Sequence, residues 1–259
     1  MFTGDTAPMT GDSTSARMAA ELPFHLRRRL GLVDHEEAHG QIPAWARPTP
    51  AEHAWPTALA VLVAIVLQLV LPRRLSLPPR ELLPSLEAAL LIVLVVFNPA
   101  RLTRERAALR ITSTVLTALI TLANGVSAGL LADRLVSGHA GLDARALLLS
   151  GGSIYLTNII AFGLWYWEYD RGGPYARADA RRHEPDFLFP QMASPEVAST
   201  DWEPRLLDYL YVSVTNATAF SPTDTLPLSR WAKALMTGQA TVALVTVALV
   251  VARAVNILS

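Results

Sequence analysis

One acid lies inside an otherwise charge-free apolar run: Glu87, within 82–100. A carboxyl group at membrane depth costs several kcal/mol unless it is protonated, paired or wet, so it points first to proton or ion passage. Five residues past Leu82, the same group could instead snorkel to the interface along its own stem. Asn124, Asn158 and Gln239 are amides inside similar runs, and Thr215, Asn216 and Thr218 follow one another in a shorter, more polar stretch. Most such groups tie helices together, at roughly 0.6–2 kcal/mol each. If a polar path crosses the chain, its candidate lining is Glu87, Asn124, Asn158, Thr215, Asn216 and Thr218, with Ser150-Gly151-Gly152-Ser153 loosening the helix beside it.

A second set, Glu168, Asp170 and Arg171, stands in the run WYWEYDRGGP. Alternate acids do not share a helix face, but an irregular turn brings them together. The expectation is an interfacial salt-bridge cluster that fixes helix depth. His183, Glu184 and Asp186 carry metal-capable side chains, yet an exposed charged loop seldom builds a metal site. The chain has no Cys, which removes disulfides, thiol catalysis and Cys-ligated metals. It contains no phosphate-cradling glycine loop and no Ser/His/Asp arrangement. No catalytic residue, metal or cofactor is expected, and the chain does not read as an enzyme.

These residues need elements to hold them, and the charge distribution supplies those. Of 259 residues 51% are hydrophobic, and 22 basic residues balance 22 acidic ones. A net charge of zero argues against a nucleic-acid partner held by bulk positive charge. Five apolar stretches, 54–72, 82–100, 111–132, 146–167 and 234–252, hold only one charge between them, Glu87. Each is 19 or 22 residues long, and a bilayer core about 30 Å thick needs about 20. Five such helices in water would leave nothing to cover them. Trp55, Trp165, Tyr166, Trp167 and Trp231 sit at segment ends, where aromatic rings favour the lipid–water boundary. Ala123/Ser127 and Gly125/Gly129 form small-residue pairs that let a neighbouring helix approach.

The expected fold is therefore all-α, a polytopic integral membrane bundle of five spans plus one re-entrant or interfacial half-helix. Residues 1–53 form a polar, partly disordered arm, in which Ala19–Val33 reads either as a short basic amphipathic helix or as a solvated stretch. Residues 54–167 form a four-span bundle and 168–204 an irregular charged loop. The half-helix is 205–220, too short and too polar to cross; 221–259 form a turn and the final span. No cleavage-like site follows the arm's arginines, so a signal peptide is not expected. Near the membrane, twelve basic residues fall on the side of the arm and the long loop against six on the other. That places the N-terminus in the cytoplasm of a multi-pass cell-membrane protein. The lipid bilayer is the expected partner, with room for a homo-oligomer.

Two resemblances attach to the last third. The order helix, half-helix, polar turn, final helix, carried by Ala146–Trp167, DYLYVSVTNATAFSPTD and Leu228–Leu258, loosely resembles the pore module of two-helix potassium-type channels. The glycine filter of that module is missing: Thr218-Ala219-Phe220-Ser221 stands in its place, and Ala or Phe resists the backbone angles that aim carbonyls at an ion. The tail, from Phe220 through Asp224 to Asn256-Ile257-Leu258, also resembles uncharacterised bacterial predicted multi-pass membrane proteins. The first resemblance implies a channel- or transporter-like protein moving a small ion. The alternative is a membrane scaffold or assembly protein without transport.

Overall fold

The computed structural model describes residues 42–97, 107–137, 143–181, 184–194, 198–218 and 224–258. The chain divides into two units, Met1–Pro43 and Ala44–Ser259, and every element below belongs to the second. The basic stretch 19–33, Asn98-Pro99, the arginines at 101, 104 and 106, His183 and the turn 219–223 lie outside the described residues.

The described chain is helical apart from two short strands. Helix α1 is Trp55–Val70; Pro56 in its first turn needs no N–H partner, and extended backbone at Leu71, just before Pro72, stops it. Helix α2 is Leu82–Phe97. Helix α3 is Ala107–Val136, 30 residues. Helix α4 is Ala144–Tyr169, opened by Asp143, whose side chain accepts the Ala146 N–H at 2.6 Å. Two short helices follow, α5 (Pro174–Ala178) and α6 (Pro190–Ala193), with strand β1 (Phe187–Leu188) between them. Helix α7 is Leu206–Thr218, strand β2 is Leu226–Pro227, and α8 is Arg230–Leu258, 29 residues.

Against five expected spans, three helices, α3, α4 and α8, are long and apolar enough to cross a membrane. They outrun their apolar stretches at both ends, because charged residues such as Arg110, Arg134, Glu168 and Lys233 continue the helix past the point where hydropathy falls. Helices α1 and α2 have 16 residues each, about 24 Å at the helical rise, and α1 is trimmed at both ends by proline.

Helix α4 is the axis of the bundle. Of its apolar window 61% is buried, against 39% for α3 and 28% for α8. It touches α1, α3, α7 and α8. Helix α8 runs antiparallel to it: Trp231 stacks near Tyr169 at 5.9 Å, and Val250 meets Gly151 near the other end. Helix α7 also runs antiparallel to α4, from Tyr209 beside Asp170, past Leu210 beside Gly163, to Ser213 beside Ile159. A Cβ on Gly163 would stand 2.7 Å from Leu210 Cδ2 and 3.3 Å from its Cα, so glycine sets how closely α7 lies on α4. After α7 the chain returns to the end it left, where β2 pairs antiparallel with β1, Phe187 opposite Pro227.

Two large apolar clusters fill the bundle, with a small third, Ile159, Ala217 and Ala243, where α4, α7 and α8 meet. One gathers Ile65, Ile120, Leu164, Tyr166, Phe187 and Tyr209 with their neighbours; the other gathers Leu71, Leu75, Leu131, Leu135, Ile154 and Val250. The outer surface is apolar as well, with Ile92, Val96, Leu122, Leu149, Leu244 and Val251 each about half exposed or more. So broad an apolar exterior suits lipid rather than water.

The connection 168–204, expected as an irregular charged loop, holds α5, β1 and α6 and sends Phe187, Phe189 and Met192 into the first cluster. Its aromatic side chains, rather than any helical period, order it: Phe189 lies edge-on to both Tyr209 and Trp202, and Phe187 to Trp231.

Candidate functional site

Between the two large apolar clusters, interleaved with the small third one, lies a band of buried polar side chains. Along α1, Gln68 falls between Ile65 of one cluster and Leu71 of the other. The same interval holds Asn124 and Ser127 on α3, Thr157 and Asn158 on α4, and Gln239 and Thr246 on α8, all buried. Glu87 joins the band from α2. It is 0% exposed, and its Oε2 accepts the Gln68 Nε2 amide at 2.9 Å. Its Oε1 is buried with no partner among the described residues. The carboxyl group therefore points inward onto α1 and does not snorkel. Gln68 is the neighbour of Glu87 that sequence reasoning missed, although its signal was present as the one amide in the first apolar stretch.

Next to this pair, Gln68, Ser76, Arg80 and Ser127 line a small cavity of about 20 Å³ at the end of α1. That is room for one water molecule. The Arg80 side chain reaches back to cap the Leu69 carbonyl at the same end.

The other lining candidates are divided between two roles. Asn158 is 1% exposed, and neither its amide nitrogen nor its oxygen has a hydrogen-bond partner among the described residues. Asn124 is buried on α3. Asn216 belongs instead to a closed network between α4, α7 and α8: its Nδ2 donates to Gln239 Oε1 at 2.8 Å and to the Met236 carbonyl at 2.9 Å. Tyr166 donates to the same Gln239 oxygen at 2.6 Å, and Gln239 Nε2 donates to Ser213 Oγ at 2.6 Å. Ser213 Oγ in turn donates to the Ile159 carbonyl at 2.7 Å. Thr215 and Thr218 turn back on their own helix, to the Tyr211 and Thr215 carbonyls. Asn216 thus ties α7 to α8, while Thr215 and Thr218 bond within α7.

The acidic and basic residues at the end of α4 also part company. Asp170 and Arg171 are buried, 0% and 1% exposed, and their charged groups stand 3.6 Å apart. Asp170 accepts the Tyr209 hydroxyl at 2.5 Å and the backbone N–H groups of Asp186 and Phe187 at 2.9 and 3.3 Å. Arg171 has a positive φ of 53° and donates to the Trp45 carbonyl at 2.5 Å. Burial holds the Tyr209 phenol well above its ordinary range, so the proton stays on the tyrosine oxygen. Beside them the Arg177 guanidinium lies 5.0 Å from the Tyr209 ring and donates to the Trp167 and Asp170 carbonyls. The expected interfacial cluster is thus the core of a folded cap. Glu168, two residues before Asp170, faces α3 instead, where Ser113 Oγ donates to it at 2.8 Å.

Asp186 spends its carboxylate on Trp231 Nε1 and the Arg171 N–H, both at 2.9 Å. Among the described residues no three His, Cys, Asp or Glu side chains gather in a way that could hold a metal ion. No family model matches the sequence, and no curated protein or solved structure is significantly similar to it.

Proposed function

We propose that this is a multi-pass cell-membrane protein that moves protons or a small cation, with Glu87 as the group that holds the ion. One observation carries the reading. Glu87 is fully buried, has a neutral amide as its single partner, and leaves one carboxylate oxygen without any, among the described residues. A bare carboxylate in a low-dielectric interior is unstable by several kcal/mol, so the group carries a proton or a cation, and taking it up or losing it is the elementary step of transport. The buried amides and hydroxyls of the neighbouring helices, among them Asn158 with no partner among the described residues, are the further ligands this reading calls on. The cavity beside Gln68 supplies a place for water between the pair and one end of the bundle.

In this reading α1 and α2 are also crossings, short ones that thin the bilayer around them, which makes five spans. Helix α7 is re-entrant, a half-helix lying against α4, which supports the likeness to a channel pore module. The excess of arginines on the side of the arm and long loop supports a cytoplasmic N-terminus.

Purified protein in vesicles, with a pH-sensitive dye or labelled sodium and potassium, tests the role. Wild-type protein should dissipate a gradient of one of these ions, and Glu87→Gln should not. Absence of flux for all three with folded protein would sink the proposal. A second reading, a scaffold without transport, is favoured by the closed Asn216–Gln239–Tyr166 network, which seals α7 against its neighbours.

A further inference from the structure

A cavity of about 80 Å³ lies where the start of α1, the end of α2, the start of α3 and the end of α4 meet. Val61, Leu91, Leu94 and Val95 form an apolar wall; Arg110, Ser113 and Glu168 form the polar side. Glu168 is a built feature of it, 7% exposed and held by Ser113 at one oxygen, and the guanidinium charges of Arg177 and Arg110 act on it. Arg110 is exposed at the rim. Val95 is 43% exposed and Val96 64%, so the apolar wall runs on into the lipid-facing surface of α2. Trp55, which is exposed, and Trp167, which is buried, stand at the same end of the bundle.

A wholly apolar ligand would strip water from Arg110 and Glu168 and return nothing for it. A small polar ion would face leucine and valine on the opposite wall. An amphiphile meets both demands. The polar side offers a cation and a carboxylate, which is the complement of a head group bearing both a phosphate and an N–H donor. The carboxylate also selects between head groups: it gains a charge-assisted hydrogen bond from a primary ammonium and none from a fully methylated one.

We propose that this cavity binds a phospholipid whose head group carries a phosphate and a primary ammonium, with Arg110 on the phosphate, Glu168 on the ammonium and an acyl chain along α1 and α2. The site is independent of Glu87 and of any transport.

The test equilibrates purified protein with micelles or vesicles of phosphatidylethanolamine, phosphatidylcholine or phosphatidylglycerol and counts retained lipid by native mass spectrometry. Wild-type protein should retain phosphatidylethanolamine about tenfold better than either of the others, the ratio that one charge-assisted hydrogen bond supplies. Glu168→Gln should erase the preference over phosphatidylcholine, and Arg110→Ala should lower retention of both. Leu94→Trp, which fills the apolar wall and leaves both charges in place, should expel lipid while the protein melts as before. Equal retention of the three lipids by wild-type protein, or retention unchanged in Arg110→Ala and Leu94→Trp, would overturn the assignment.

Discussion

Removing the Asp170 carboxylate should unfold the cap at the end of α4, and the contacts give the size of the effect. Asp170→Ala leaves the Tyr209 hydroxyl and two backbone N–H groups without their acceptor and the Arg171 guanidinium without its counter-charge, all at a position where Asp170 itself is 0% exposed. Breaking a buried pair from one side costs about 3–5 kcal/mol, because the other charge stays behind. Tyr209→Phe keeps the ring that Phe187, Phe189 and Arg177 pack against and removes one hydrogen bond to a charged group, worth about 1.5–3 kcal/mol. The two losses share that bond, so the double variant should cost less than the sum of the singles by at least about 1 kcal/mol. Reversible unfolding in detergent, followed by the fluorescence of Trp202 and Trp231, reads all four corners of the cycle. Strict additivity, or a loss below about 1 kcal/mol for Asp170→Ala, would refute the claim that this carboxylate organises the cap.

Gln239→Leu removes the acceptor shared by Tyr166 and Asn216 and the donor to Ser213; inside a membrane bundle that should cost about 1–2 kcal/mol in the same unfolding assay. Gly163→Val should lower stability by about 1–3 kcal/mol by forcing Leu210 off α4, and a disulfide engineered between Ile159 and Ala217 should then form more slowly. Arg177→Lys should destabilise the cap as well, since an ammonium cannot lie flat over the Tyr209 ring while reaching the Trp167 carbonyl; a melting temperature unchanged by the substitution would count against that stacking.

The class of the fold was legible because hydropathy reports directly on which faces avoid water. The apolar stretches at 111–132, 146–167 and 234–252 mark the three long helices, and their charged flanks merely extend them. Local sequence marked the charged run at Asp170 and Arg171 but not the partners that build the cap around it. Asp170 and Asp186 are 16 residues apart and Trp45 is 126 residues from Arg171, and such pairings follow from tertiary packing, which no helical or strand period encodes. Glu87 stood out because a lone charge in an apolar run is conspicuous, whereas Gln68 was hidden in a class of residue that usually serves only as glue. Asn158 and Asn216 looked alike in sequence. The structure separates them by neighbours: Asn216 finds Met236 and Gln239, and Asn158 finds no partner among the described residues.

That separation bears on whether Glu87 serves the fold or the function, because the two roles predict opposite signs of stability change. If the Gln68–Glu87 bond were there to hold α1 to α2, replacing both by leucine would weaken the bundle. A buried polar pair with one carboxylate oxygen unpaired is a poor stabiliser, however, and replacing such pairs by apolar residues of similar volume is often neutral or gains about 1–4 kcal/mol. Gln68→Leu/Glu87→Leu should therefore unfold at or above the wild-type temperature and still be inert in the vesicle flux assay. Gln68→Leu alone should be the worst of the set, since it leaves the whole carboxyl group of Glu87 without a partner. A double variant that melts well below wild type would show that the pair is structural glue after all, and would remove the ground for placing an ion there. A stable, inactive double variant leaves one reason for a buried acid that costs the fold more than it returns: it is kept to bind and release an ion.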